Sequence, residues 1–289
     1  MWKKSFKQTI KGSIWKYTIG SLSAGLTVLL IGKNFLDMTV EKSVILGICL
    51  FIALFILRYA YFVLRNTIIF IHNAYVDSIW GKAIVDLKDA YSEIHFIRKK
   101  ERFDDKEFVE TMIVFCDTLK IIFDRKTKAN CCVSIKVPTT EDEQLETIEV
   151  KNLCRDTHHT NRDTSQYMSI KHSIIGNTPY RKIVNKILKG NQKNLAYVNN
   201  DIEHTPDYDN TSIECYSDGI LPYKSELVYP IIPIKSVNSN NMKMKGFICI
   251  DCDQKDKFDE NRYDIPMVQG IADGLYDLFV KRNNNRNHG

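Results

Sequence analysis

Apolar and polar positions divide the chain into two regimes. From residue 44 to residue 64 the sequence reads VILGICLFIALFILRYAYFVL, apolar almost throughout. At ~1.5 Å of rise per residue, such a run crosses the ~30 Å hydrocarbon core of a bilayer as one helix. No Pro or Gly cluster follows it, so the helix is expected to continue past Arg65 into polar sequence. There the apolar positions are Val76, Trp80, Ala83, Leu87, Ala90 and Ile94, spaced 4, 3, 4, 3, 4, while Asp77, Lys82, Asp86, Lys88 and Glu93 lie off that line. This is a heptad seam. It fits a helix packed on its own domain, and it fits a parallel two-chain coiled coil, which is the expectation: the six apolar residues form a dimer seam. The charges of residues 98–102 end the pattern as a solvated junction.

A shorter apolar run, residues 17–32, follows an arm that carries Lys3, Lys4, Lys7, Lys11 and Lys16 and no acid. Trp15 and Tyr17 suit one membrane interface, and Phe35 and Leu36 extend the far end. A signal peptide competes, but no clear small-x-small cleavage site follows and a full-length span comes soon after. The expectation is a two-span hairpin over residues 17–65. Lys33, Asp37, Glu41 and Lys42 nearly cancel in its connecting loop, whereas the flanks carry the N-terminal lysines and Arg58 and Arg65. The positive-inside rule then puts both termini in the cytoplasm of a multi-pass plasma-membrane (cell inner membrane) protein. Gly20, Ser21, Ala24 and Gly25 give a stripe of small residues suited to close helix packing, and Arg58 is expected to snorkel to headgroups.

The remainder predicts α+β. Phe108, Met112, Phe115, Cys116, Leu119, Ile122 and Phe123 give a helical stripe over residues 105–124. Strands are expected at 131–137, stopped by Pro138, and at 147–153; a polar stretch, 155–166, contains His158 and His159. Thr178 as N-cap, Pro179 as first helical residue and Gly190 as stop bracket a short helix. A weak strand at 194–198 and a long polar loop at 199–219 precede the strongest strands, 227–234 and 246–252, which read as a hairpin. A last helix spans about 264–281. The domain plan is therefore a basic arm 1–16, the hairpin 17–65, a helical linker 66–103, a folded domain 104–282 and a polar tail 283–289.

Composition adds limits. Hydrophobic content of 44% and aromatic content of 11% exclude a disordered chain. The net charge of +5 sits largely in the N-terminal arm, so it is a topology signal, and no nucleic-acid partner is expected. Eight cysteines are scattered, and the one CxxC pair, Cys249 and Cys252, has no second pair to complete a zinc set. No metal and no cofactor are assigned. No Ser-His-Asp set, P-loop, kinase motif or HExxH appears, and no enzyme is expected.

Tyr223, Ser225, Leu227, Pro230 and Ile231, then Gly246 and Asp251, then Phe258 and Ile271-Ala272-Asp273, stand in an order that resembles the C-terminal half of a GAF domain. The resemblance implies an antiparallel sheet with helices on one face and a loop-and-helix lid on the other. It also implies a small-molecule or nucleotide ligand between sheet and lid. The phosphodiesterase Asn-Lys…Phe…Asp-Glu signature is missing, and no cysteine has a bilin context. Cys131, Cys154 and Cys215 are the set one would assign to a sulfoxide-reducing GAF enzyme. The ligand-binding candidates, by position, are Arg155, His158, His159, Arg162, Tyr180, Arg181, Tyr216, Asp218, Tyr229 and Asp251. The arginines suit phosphate or carboxylate. Sensing of a small ligand by a membrane-anchored protein that signals through its helical linker is the leading expectation. The partners would be the bilayer, a second copy or higher homo-oligomer, and a separate signalling protein. The alternatives are a two-span membrane-disrupting effector of antiviral-defence type, gated by a nucleotide-like messenger, and a dimerising scaffold.

Overall fold

The computed structural model describes residues 39–140, 147–162, 170–190, 194–216, 219–233, 244–260 and 262–287. Two compact units divide the chain, Met1–Ser78 and Ile79–Gly289.

Helix α1, Val40–Lys99, contributes to both units. Its apolar stretch from Val44 is long and apolar enough to cross a membrane, and this is the one such helix among the described residues. Ile45, Ile48, Leu54, Ile56, Leu57 and Leu64 are exposed, as lipid-facing side chains would be. The guanidinium of Arg58 lies over the Phe62 ring, 5.5 Å from its centroid. The first expected span, the hairpin and the stripe from Gly20 to Gly25 lie outside the described residues. A multi-pass topology therefore has no support, and the expectation is reduced to one long apolar helix.

The second unit is α+β. Helix α2 is Asp105–Thr127, and strands β1 (Cys131–Pro138), β2 (Glu149–Arg155) and β3 (Lys171–Ser173) follow. Then come α3 (Thr178–Leu188), β4 (Tyr197–Asn199), β5 (Ser225–Pro230), β6 (Phe247–Cys252) and α4 (Asp264–Asn287). The strands form one antiparallel sheet in the order β3-β2-β1-β6-β5-β4.

Local chemistry explains the ends. Asp104 caps α2 by accepting from the Glu107 N–H at 2.7 Å, and Lys128 closes it in the left-handed region. Pro179 opens α3 where no intrahelical donor is needed. Gly246 starts β6 where a Cβ would stand 2.2 Å from the Lys136 carbonyl oxygen, so no side chain fits. Strand β3, three residues of a polar segment, carries no pattern that predicted it.

Successive strand residues face opposite ways, and residues opposed across the ladder share a face. Val133, Ile135, Ile248, Ile250 and Leu227 form one face, all buried. It belongs to α2 and α4, with α2 packed on β1 and β2 and α4 on β5. Phe108, Phe115, Leu119 and Phe123 of α2 and Val268, Leu275 and Leu278 of α4 are buried with it.

The heptad seam is accounted for inside this unit. Trp80, Ala83, Leu87, Ala90 and Ile94 are buried by the chain's own domain. Trp80 meets Phe123 edge-on at 6.3 Å, and Tyr91 meets Phe115 at 5.4 Å. Asp86 accepts from Arg125 at 2.6 Å, and Arg98 donates to the Gly274 carbonyl at 2.6 Å. The expected two-chain seam is thus corrected: α1 residues 79–97 are amphipathic because they pack on α2 and α4. Val76 belongs to the other unit.

Candidate functional site

The second sheet face, one residue out of step with the first, is covered by α3 and the loop between β4 and β5. At one end this packing is apolar: Val150, Tyr197, Val228 and Phe247 meet Tyr180, Ile183 and Val184 of α3. At the other end the strands present Ser134 and Lys136 from β1, Arg155 from β2, Glu226 from β5, and Cys249 and Asp251 from β6. These surround a cavity of about 50 Å³, closed above by Tyr180, Asn210, Ser212, Tyr216 and Tyr223. At ~10–15 Å³ per water, the space suits about three to five waters or one small polar molecule.

The cover is held by side chains of the α3 entrance. Thr178 N–H donates to the Asp209 carbonyl, and the Thr178 hydroxyl accepts from the Asp209 N–H, each at 2.9 Å. Asn177 donates to the Thr211 hydroxyl at 3.0 Å and accepts from its N–H at 3.1 Å. His172 of β3 meets the same hydroxyl at 2.7 Å. Burial, with the Lys136 and Arg155 charges adding to it, lowers the His172 pKa to about 3, so the ring is neutral.

Inside, a polar chain reaches the floor. Asn210 donates to Tyr223 Oη at 2.7 Å and to Tyr208 Oη at 3.1 Å, and Tyr208 donates to Glu226 Oε1 at 2.6 Å. Glu226 is 2% exposed. Burial lifts its carboxyl to about 8, with the neighbouring Asp251 charge adding to the effect, against the Tyr208 hydrogen bond and Lys136. Lys136, 9% exposed, is pushed the other way: burial lowers its pKa and the Arg155 charge adds to that, against Cys249, Asp251 and Glu226. Its Nζ stands 5.6 Å from the Tyr180 ring centroid. The Tyr180 hydroxyl reaches Cys249 Sγ at 3.7 Å, and burial raises the Cys249 thiol to about 12. The site is a lined polar chamber with two cationic and two carboxyl side chains, fit to hold a small charged molecule.

Of the ten candidates, Arg155, Tyr180, Tyr216 and Asp251 come together at this cavity. Tyr229 does not: it is opposed to Ile248 on the face that meets the helices, and the charge of Asp273 in α4 acts on it. Arg181 lies outside, donating to the Ile175 carbonyl and pairing with Asp209 at 3.2 Å. His158 is exposed, and its N–H donates to Asp156 at 3.2 Å. His159 is buried against Asp156 at 2.7 Å and Asn130 at 3.3 Å, organising the turn after β2. The side chain of Arg162 and all of Asp218 lie outside the described residues. Sequence reading missed Ser134, Lys136, Tyr223, Glu226 and Cys249. Period-two alternation was the available signal in β1, where Ser134 and Lys136 stand two apart among apolar residues, and in β6, where Cys249 and Asp251 do.

Cys132, Asp156 and His159 bring sulfur, oxygen and nitrogen donors within 4.8 Å of one another and could take a metal ion. The Asp156 carboxylate already accepts from the Val133 N–H at 2.9 Å and from both histidines. The cysteine set imagined for a reductase is not assembled. Cys131 faces Cys252 across the ladder, Cys154 meets Cys116 at 3.9 Å, and Cys215 lies in the cover near Lys136.

No family model matches the sequence, and no curated protein matches it. Solved structures do. A type II free methionine-R-sulfoxide reductase from Thermoplasma acidophilum is 21% identical, covering 61% of this chain and 95% of its own, with a TM-score of 0.39. A free methionine-R-sulfoxide reductase from Neisseria meningitidis, in complex with its substrate, is 16% identical over 70% of this chain and 93% of its own, with a TM-score of 0.42. A putative GAF sensor protein from Burkholderia vietnamiensis is 12% identical over 70% of this chain and 98% of its own, with a TM-score of 0.41. The chain is similar to GAF domains and to enzymes that share their fold. The expectation of no enzyme is corrected by these matches, because the GAF-like fold is shared with reductases.

Proposed function

We propose that the chain is a membrane-anchored protein that senses a small charged molecule in the cavity under α3 and signals through α1. One observation carries the reading. The floor of the cavity holds Lys136 and Glu226 inside the domain, flanked by Arg155 and Asp251. Burying charge is costly, and apolar residues of equal size would stabilise the sheet better. Ionisable side chains kept at such a place, each shifted toward its neutral form, are explained by a ligand that pairs with them. The helix Val40–Lys99 supports the second half of the reading, since one element carries both the apolar stretch and the face packed on α2 and α4.

The test uses the full-length chain purified in detergent. Native mass spectrometry reads what co-purifies, and thermal melts read a panel of small acids, amino acids and nucleotides. A true ligand at a hundred times its Kd stabilises by about 2.7 kcal/mol, which moves Tm by several degrees. Glu226→Gln or Lys136→Met removes that shift without unfolding the protein. A panel with no co-purified molecule and no shift defeats the proposal.

A further inference from the structure

We propose that Lys136 captures a small 2-oxo acid in the cavity as a reversible imine, with the ligand's carboxylate paired to Arg155. The inference rests on the reading of this cavity as a ligand site and adds the chemistry of the ligand.

Lys136 lies in β1 between β2 and β6, at the point where the β1–β2 register shifts, and a Cβ on Gly246 would stand against its carbonyl oxygen. The side chain is more than nine-tenths buried and lines the cavity. Among the described residues its Nζ makes no hydrogen bond and no ion pair, and the contact it has is the Tyr180 ring at 5.6 Å. An ammonium kept from water without a hydrogen-bonding partner is disfavoured, which shifts the balance toward the free amine. Burial acts in that direction on Lys136, and so does Arg155. The acidic groups that face it, Asp251, Glu226 and Cys249, act against this without reversing it. His172 and Cys215 also feel its charge.

Two cationic residue types therefore share one small chamber and differ in kind. A guanidinium stays charged and presents a planar fork that matches a carboxylate. A lysine amine that loses its proton becomes a nucleophile for carbonyl carbon. A molecule with a carboxylate beside a carbonyl is complementary to that pair. A cavity of about 50 Å³ admits a short-chain one.

The step balances without oxidant or reductant. The Nζ lone pair attacks the carbonyl carbon, the N–C bond forms, and the carbonyl π pair moves to oxygen. The carbinolamine then loses that oxygen as water, which carries away both amine protons, and the imine remains. Hydrolysis reverses each step.

The test treats the full-length chain in detergent with pyruvate and sodium borohydride, then maps adducts by peptide mass spectrometry. The expected result is one reduced pyruvyl group on the peptide holding Lys136, lost in Lys136→Met and in Lys136→Arg, which keeps the charge. Arg155→Gln raises the pyruvate concentration for half-labelling by about tenfold, the worth of one charge-assisted hydrogen-bonded pair. Labelling by acetone, which has no carboxylate to pair, falls less than labelling by pyruvate, only by the effect of the lost Arg155 charge on the amine. Thermal melts confirm that each variant is folded. Adducts on exposed lysines with none on Lys136 overturn the proposal, as does equal labelling by acetone and pyruvate. If pyruvate stabilises wild type and Lys136→Arg alike with no trapped adduct, the imine is overturned and the ligand site stands. If pyruvate neither labels nor stabilises, the 2-oxo acid assignment is overturned, and the wider panel decides separately whether the cavity binds anything.

Discussion

The two faces of one sheet are built from the same strands and differ by a shift of one residue. On the face toward α2 and α4, β1 presents Val133 and Ile135, β6 presents Ile248 and Ile250, and β5 presents Leu227. On the face toward α3 the same strands present Ser134, Lys136, Cys249, Asp251 and Glu226. The first face is where burial of apolar area stabilises the domain. The second places charge where that area would otherwise add stability, which is the pattern expected of a site that works at some cost to the fold. Strand alternation lets both coexist within six to eight residues per strand, because neither face needs the other's side chains.

The largest way to break the comparison damages both faces together. Gly246→Val puts side-chain carbon against the Lys136 carbonyl oxygen, where even a Cβ stands at 2.2 Å. The β1–β6 ladder is shared by both faces, so the variant is expected to lose cooperative melting by circular dichroism. Next is Phe115→Ala, a fully buried ring of α2. It should cost about 3–5 kcal/mol in denaturant melts while leaving the ligand response of the folded fraction intact.

Acid and base then separate the polar face from the apolar one. The His172 pKa falls from 6.5 to about 3 on folding. Between those values the unfolded chain takes a proton that the folded one refuses, so stability drops as the medium becomes more acidic. The Glu226 pKa rises from 4.5 to about 8. Across that window the folded chain keeps a proton that the unfolded one sheds, so stability drops as pH rises. Each slope is about 1.4 kcal/mol per pH unit, and the two cancel where the windows overlap. Above pH 6.5 the His172 contribution is complete and the Glu226 limb alone would be worth about 2 kcal/mol by pH 8, opposed by Lys136, whose lowered pKa makes stability rise with pH once its folded-state proton is lost. Glu226→Gln should flatten that alkaline limb in urea melts taken at several pH values. An unchanged limb would show that the carboxyl ionises as freely in the folded chain as in the unfolded one. The smallest effect sharpens the contrast: Lys136→Met should leave the unliganded protein as stable or about 1 kcal/mol more stable, the reverse of a core truncation.

The apolar face was legible because its helices repeat at helical spacing. Phe108, Met112, Phe115 and Leu119 announced α2 within a few residues of its true ends, and the strand runs at Leu227 and Phe247 announced β5 and β6. The polar face was harder to read. Alternation shows that Lys136 and Val137 face opposite ways, but the cover over Lys136 comes from residues 208–216, far along the chain and without a period of their own. Arg155, Tyr180, Tyr216 and Asp251 were reached because they sit at element ends or in the polar loop, where side chains were sought. Lys136 and Glu226 lie within strands, where an isolated polar residue reads as an outward-facing one. The heptad seam misled for a related reason. A 4-3-4 spacing identifies a face to be buried without saying against what, and α2 and α4 fill that place.

The glycine at 246 has a further consequence for how this protein can change over time. It leaves no room for a side chain against the peptide that carries Lys136, so substitution at 246 would displace that peptide and the amine with it. The covering loop, by contrast, is tied down by Asn177 and Thr178 from a different element. Changes in guest preference therefore fall on loop positions such as Ser212 and Tyr216, which line the cavity, while the tied residues Asp209 and Thr211 and the glycine at 246 are constrained.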